Sequence, residues 1–259
     1  MVYFDYAANT PVDEEVLDEF YEATLKYYGN PNSTHKLGRE ASRKIENATE
    51  SIAKLLKVEK DQIVYTSGAT ESNNLAIKGV CGKYAKYGKH ILLSSLEHSS
   101  IINSAIDMQE MGFEIDFIPL GEDGRVDLEE LKNKIREDTI LVSVVSIDSE
   151  LGVVQPIEEI GKILKDYPHL YFHSDASQSI GRVDIDYSDV DLITISPHNF
   201  YGLNDIGLLV KKKSVSLKPI FNGGRSTTEY RSGTPNTAGV LACAFALKKA
   251  LKQRKKRYK

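Results

Sequence analysis

The stretch QIVYTSGATESNN, residues 62–74, decides how this chain reads. QIVYTS is a short β-rich run, and the residues after Gly68 begin a helical pattern. A strand that turns directly into a helix leaves the first N–H groups of that helix without backbone acceptors. The small residues at the turn, Gly68, Ala69 and Thr70, let an anion approach those groups, which makes a natural phosphate seat. Taken alone, the same pattern is also an ordinary turn and helix cap.

On both sides of this stretch the pattern continues. Upstream, residues 13–28 place Val16, Leu17, Phe20, Ala23, Leu25 and Tyr27 at mostly helical spacing, and GNPNSTH (29–35) is a loop. Leu37, Ala41, Ile45, Ala48, Ile52 and Leu55 then step by three and four, which marks an amphipathic helix. Downstream, helical 69–86 leads to HILLSS (90–95), helical 99–111 to FEIDFIPL (113–120), and helical 127–136 to TILVSVVSI (139–147). Helical 156–166 is followed by LYFHSDA (170–176), DLITIS (191–196) and IGLLVKK (206–212), with a closing helix near 236–252. Strands alternating with helices predict an α/β domain on a mainly parallel, seven-stranded sheet, apolar on both faces and flanked by helices in an α/β/α arrangement. The expected organisation is an N-terminal segment (1–12), one large domain (13–252) and a basic tail (253–259). The tail reads as a solvated helix end suited to the helix dipole, as an arm for an acidic partner, or as the point where another domain begins.

The 259 residues are 41% hydrophobic and 27% charged, with a formal net charge of -4, the composition of an ordinary soluble globular protein. That charge balance points to neither nucleic acid nor membrane. No apolar run is long enough to span a bilayer and no signal-peptide pattern stands at the start, so a cytoplasmic chain is expected. Cys81 and Cys243 are far apart, which indicates no disulfide framework. No metal-ligand spacing stands out, and no metal is expected.

Three more strand ends carry reactive residues. HSDASQS (173–179) brings Asp175 to the end of a buried strand, where open α/β sheets hold ligands. Such an acid could keep a pyridine-ring nitrogen protonated, or could simply cap a helix. LEHSS (96–100) offers His98, which could stack on a flat ring or move a proton, or be a capped histidine. ITISPHNFYG (193–202) closes another apolar strand with a polar cluster. All of these fall at the ends of strands where one shared site would lie.

The chain resembles the NifS/IscS-type cysteine desulfurases, which have the class V aminotransferase fold. The resemblance rests on FDYAANTPV (4–12), GNPNSTHKLGREA (29–41), TSGATESNNLAIKG (66–79), EHSS (97–100), DTILVSVVS (138–146), ELGVVQPIEEIG (150–161), HSDASQS and RSGTPNT (231–237). It covers essentially every residue to about 250 and implies the large domain of a fold-type-I transferase dependent on pyridoxal phosphate. It also implies a homodimer with shared sites. By this resemblance Ala69, Thr70, Ser196 and His198 would bind the cofactor's phosphate, and Thr234 would reach the phosphate of a partner subunit. His98 would stack on the ring and assist proton transfer, Asp175 would pair with the ring nitrogen, and Gln178 would meet the phenolic oxygen.

Three departures stand against that pattern. The family's strand-end motif is Ser-x-His-Lys, whereas this chain reads Ser196-Pro197-His198-Asn199. A carboxamide has no nucleophilic amine, so Asn199 cannot form the covalent link to the cofactor. Lys211 to Lys213 read as surface residues and not as substitutes. Asp148-Ser149 replaces the family's paired asparagines, one of which contacts the cofactor. The family's small C-terminal domain, with its nucleophilic cysteine and its substrate-binding arginine, is expected to be absent, and both cysteines present read as core residues. The expectation is therefore a desulfurase homologue catalytically deficient by itself, a pseudoenzyme holding pyridoxal phosphate non-covalently or not at all. A partner could be an iron–sulfur scaffold or a full-length desulfurase. An enzyme completed by a separate chain and a non-enzymatic phosphate-binding scaffold remain as alternatives.

Overall fold

Seven β-branched and leucine-rich runs become strands: β1 (Ile63–Thr66), β2 (His90–Ser94), β3 (Glu114–Ile118), β4 (Thr139–Ser143), β5 (Tyr171–Asp175), β6 (Leu192–Ile195) and β7 (Gly207–Lys211). Helices α1 (Glu14–Lys26), α2 (Lys36–Leu56), α3 (Ala69–Tyr84), α4 (Ser99–Gln109), α5 (Leu128–Lys134), α6 (Ile157–Leu164) and α7 (Thr237–Arg257) surround them. The structure is a computed structural model and describes residues 1–224 and 226–257. The strands form one sheet in the order β1-β7-β6-β5-β4-β2-β3. Only β7 runs antiparallel, to both β1 and β6, and the other pairings are parallel.

Alternation along the strands sorts two cores onto the two faces of the sheet. Ile63, Tyr65, Leu92, Val142, Leu208 and Val210 join α1, α2, α5, α6 and α7 on one face. Val64, Ile91, Leu93, Leu141 and Leu209 join α3 and α4 on the other. The expected α/β/α layering is present. One strand departs from the expectation of apolar faces on both sides: β3 exposes Glu114, Asp116 and Phe117. It stands at the sheet edge with β2 as its only neighbour, so its outer face meets water and carries charge. Strand β4 also ends at Ser143, before the predicted 147, because its pairing with β2 stops there and the Glu97 side chain accepts the Val145 N–H at 2.6 Å, while Val144 and Ser146 still donate to the β5 carbonyls of His173 and Asp175 at 3.0 Å.

The chain ends are tied to this body. Asp13 caps α1 by accepting the Glu15 N–H and also binds Lys249 of α7 at 2.6 Å. Helix α7 continues through residues 253–257 of the basic run, where Arg254 pairs with Asp184 and Arg257 lies 3.9 Å from the centre of the Tyr201 ring. Residues 258–259 of that run lie outside the described residues. Among the described residues no helix is long and apolar enough to cross a membrane.

Candidate active site at the carboxyl edge of the sheet

Strand β2 is followed by β3 on one side, and β4 then pairs with β2 on the other side before the chain proceeds to β5 and β6. The crossovers therefore diverge between β2 and β4, and the space past the carboxyl ends of those strands is where such sheets bind ligands. His98 follows β2, Asp175 ends β5, and Ser196 follows β6, so all converge on this edge.

The seat suggested by residues 62–74 is built from two directions. Ser72 makes the first α3 hydrogen bond, to the Gly68 carbonyl at 3.1 Å, so the N–H groups of Ala69 and Thr70 point out of the helix start. Gly68 has φ 157° and ψ -179°, a region open essentially to glycine alone. Thr66 pairs with Gly207 of β7, and a Cβ at Gly207 would come within 2.5 Å of the Gly68 carbonyl carbon. Ile195 pairs with Leu208, so Ser196 enters beside the same glycines. Its hydroxyl lies 3.1 Å from His198 Nδ1. Burial pushes His198 below its ordinary range, with Asp175 opposing in part, so the ring is neutral near pH 7.

Glu71, in the first turn of α3, accepts the Ser67 N–H at 2.7 Å and the Arg231 Nε–H at 2.8 Å. Burial would raise this carboxyl, but the bonds from Arg231 and Ser67 prevail and hold it below the usual range. The Arg231 contact ties the loop carrying Thr234 to the seat, and Thr234 itself is exposed.

Deeper in the site, Asp175 is 5% exposed, with Oδ1 accepting the Ser177 N–H and Oδ2 accepting Asn73 Nδ2 at 2.8 Å. Asn73 also donates to Ser100 Oγ at 2.9 Å, and Ser100 Oγ is 2.8 Å from His98 Nδ1. His98 is the N-cap of α4 and remains exposed. Gln178 is engaged at both ends, donating to the Ala7 carbonyl at 2.8 Å and accepting from Arg182 Nη1. Arg182 in turn donates to the carbonyls of Asn199 and Tyr6, so the N-terminal segment lies over this corner.

Asn199 is 4% exposed, in a short 3-10 turn (Pro197–Phe200), and its Oδ1 is buried with no hydrogen-bond partner. Lys211 does not take its place. Lys211, expected at the surface, is instead 3% exposed, with Nζ donating to the Val215 carbonyl at 2.8 Å and lying 4.6 Å from the Tyr230 ring centre. It pairs with Leu192, the first residue of β6, and therefore lies at the opposite edge of the sheet from the site. Its stem packs while its head finds carbonyls, which a surface reading of a Lys-rich run does not anticipate. Asp148 is also buried, and its Oδ2 accepts the N–H groups of Glu150 and Leu151, closing its own loop.

Residues 2–257 match the family model for aminotransferase class-V. This chain belongs to that family. It is 41% identical over 252 residues to a protein of Dictyoglomus turgidum named Cysteine desulfurase IscS, covering 96% of this chain and 64% of the relative. It is 40% identical over 257 residues to an Arabidopsis thaliana protein named Cysteine desulfurase, mitochondrial, covering 97% of this chain and 56% of that one. A solved structure titled NIFS-like protein superposes with a TM-score of 0.95 at 35% identity, over 98% of this chain and 71% of that chain. The chain thus spans about 56 to 71% of the class-V relatives and structure it matches.

Several residues that tie this candidate site together are absent from the sequence reading. Asn73 lies one helical turn inside α3, and Ser100 in the first turn of α4, so a turn-by-turn reading of helix starts would have found both. Glu97 is a third. Its Oε1 accepts Ser94 Oγ–H at 2.7 Å and the Val145 N–H at 2.6 Å, pinning β2 to β4 where their ladders part, and its Oε2 is buried without a partner. Burial pushes this carboxyl up to about 8. His173 lies beneath the site between Ser143 Oγ and Thr194 Oγ1, and burial brings it down to about 4, so it is a neutral strut. Among the described residues no group of three or more His, Cys, Asp or Glu side chains converges as a metal site would.

Proposed function

We propose that this chain is a cysteine desulfurase homologue that seats pyridoxal phosphate without a covalent bond and releases no sulfur from cysteine by itself. The observation that carries the reading is Asn199, buried at the strand end where the family pattern has lysine, with its amide oxygen unpartnered. The donor set fits the cofactor's non-covalent needs and lacks its covalent one. In the proposed complex the N–H groups of Ala69 and Thr70, with Ser196 and His198, receive the phosphate dianion. Asp175, already held by Asn73 and Ser177, carries the negative charge that keeps a ring nitrogen protonated. His98 stacks on the ring, and Gln178 meets the phenolic oxygen after parting from Ala7 and Arg182. When bound, the cofactor supplies an electron sink for carbanionic charge. With no amine at residue 199, no group of this chain anchors the cofactor covalently or takes up the substrate's Cα proton there.

The two cysteines support the same reading. Cys81 and Cys243 are buried, and burial pushes each thiol up to about 12, so neither provides a thiolate to accept sulfur. Their unpaired state also fits a reducing, cytoplasmic setting. We take the working form to be a homodimer in which Thr234 reaches the partner's phosphate seat. Its partners in this reading are an iron–sulfur scaffold or a full-length desulfurase. A second reading, an enzyme completed by another chain, is favoured by the unbroken Asp175–Asn73–Ser100–His98 network.

The test adds pyridoxal phosphate and L-cysteine to the pure protein and follows cofactor absorbance and sulfide. Cofactor that binds and dialyses away, with no sulfide, supports the proposal. Sulfide from the chain alone overturns it, and sulfide only beside a partner protein favours the second reading.

A further inference from the structure

The hydrogen bonds between Asp175 and His98 run in one direction. An ionised Asp175 only accepts, so the Asn73 atom 2.8 Å from its Oδ2 must be the amide nitrogen. This leaves Asn73 Oδ1 buried with no partner, an orientation the amide would not choose without the carboxylate. The second Asn73 N–H goes to Ser100 Oγ at 2.9 Å. Ser100 Oγ has a single proton, and its remaining neighbour is His98 Nδ1 at 2.8 Å. His98 Nδ1 also faces the backbone N–H of Ser100 at 3.1 Å, which can only donate. Two donors converge on Nδ1, so the proton of the neutral ring belongs on Nε2.

We propose that Asn73 and Ser100 are positioning residues that let the Asp175 carboxylate fix His98 as its Nε2–H tautomer. His98 is exposed, so it meets an occupant of the site as a proton donor at Nε2. The carboxylate on the site floor and the histidine at its mouth are thus set as one hydrogen-bonded unit, the carboxylate at the end of β5 and the histidine at the start of α4. The functional meaning rests on the proposed cofactor site, whereas the tautomer itself does not.

The experiment uses the full chain labelled with ¹⁵N-histidine and reads the imidazole nitrogen shifts near pH 7.5 without cofactor. The chain has six histidines, and the His98 signals are assigned by their loss in His98→Gln. The expected wild-type signal is the Nε2–H tautomer. Ser100→Ala removes one hydrogen bond of ordinary net strength and raises the Nδ1–H share about fivefold. Ser100→Thr keeps the hydroxyl and keeps the wild-type ratio. Asn73→Ala shifts the ratio in the same direction as Ser100→Ala, and circular dichroism confirms that each variant is folded. A wild-type Nδ1–H signal, or a ratio that Ser100→Ala leaves unmoved, overturns the proposal. Pyridoxal phosphate is then titrated into the same samples. Failure to bind it overturns the proposed function and leaves this inference standing, whereas bound cofactor with an unmoved tautomer overturns this inference alone.

Discussion

Asn199 differs from the amine the family pattern places there in charge, in reach and in nucleophilicity, while its surroundings stay polar and buried. The adjacent Arg182, on the Asn199 carbonyl, keeps a positive charge near the corner but has no free electron pair to attack with. Asn199→Lys is therefore expected to attach pyridoxal phosphate covalently, seen as a mass gain after borohydride reduction, yet to give no sulfide with cysteine. No mass gain would show that the pocket itself does not admit the cofactor. The cysteines give a second residue-level prediction. With thiols pushed up to about 12, only about one molecule in ten thousand is thiolate at pH 8, and burial blocks reagent besides. Iodoacetamide should leave Cys81 and Cys243 unmodified in the native protein and alkylate both in urea, as mass spectrometry would read. Fast native labelling of either residue would refute their inert role.

At the scale of elements, Asp13 ties the start of α1 to the end of α7. It caps the Glu15 N–H at 3.1 Å and binds Lys249 at 2.6 Å. Burial would raise its carboxyl, but Lys249's hydrogen bond and charge, helped by Glu15 and Arg257, bring it below the ordinary range. Its contribution is therefore complete above the usual carboxylate pKa and fades as pH falls through the folded value. Asp13→Ala should cost about 1–2 kcal/mol near pH 7, read as a lower urea midpoint, and much less near pH 3. The same elements show what a sequence makes legible. Short β-rich apolar runs marked all seven strands, and steps of three and four marked the main helices, because each element buries apolar side chains. The ends were less legible: β4 stops at Ser143 where the Glu97 side chain replaces β2 as its partner, and β3 is exposed because it lies at an edge that nothing in its own residues states. Asn73 and Ser100 were passed over because their roles depend on Asp175, far away in sequence. Lys211 was misread because its burial follows from Val215 and Tyr230 packing over it.

For the whole molecule, buried ionisable groups under the site link stability to pH. Glu97 is raised to about 8, so the folded state holds a proton that the unfolded chain has released above its ordinary value of 4.5. Stability from this group falls as pH rises from 4.5 to 8. His173, lowered to about 4 from 6.5, acts oppositely, adding stability as pH rises through that window. The two effects oppose each other below pH 6.5, and between 6.5 and 8 Glu97 acts without it. Unfolding free energy should fall by on the order of 2 kcal/mol over that interval, and Glu97→Gln should flatten the slope. A wild-type curve already flat there would place the Glu97 proton elsewhere. The central claim, a family site that holds its cofactor without a covalent bond, is tested most directly by borohydride reduction of the protein saturated with pyridoxal phosphate, followed by intact-mass measurement. Cofactor is expected to be bound before reduction, and the protein mass to be unchanged after it. A mass increase of one reduced pyridoxyl phosphate per wild-type chain, mapped to any lysine in the site, would contradict it.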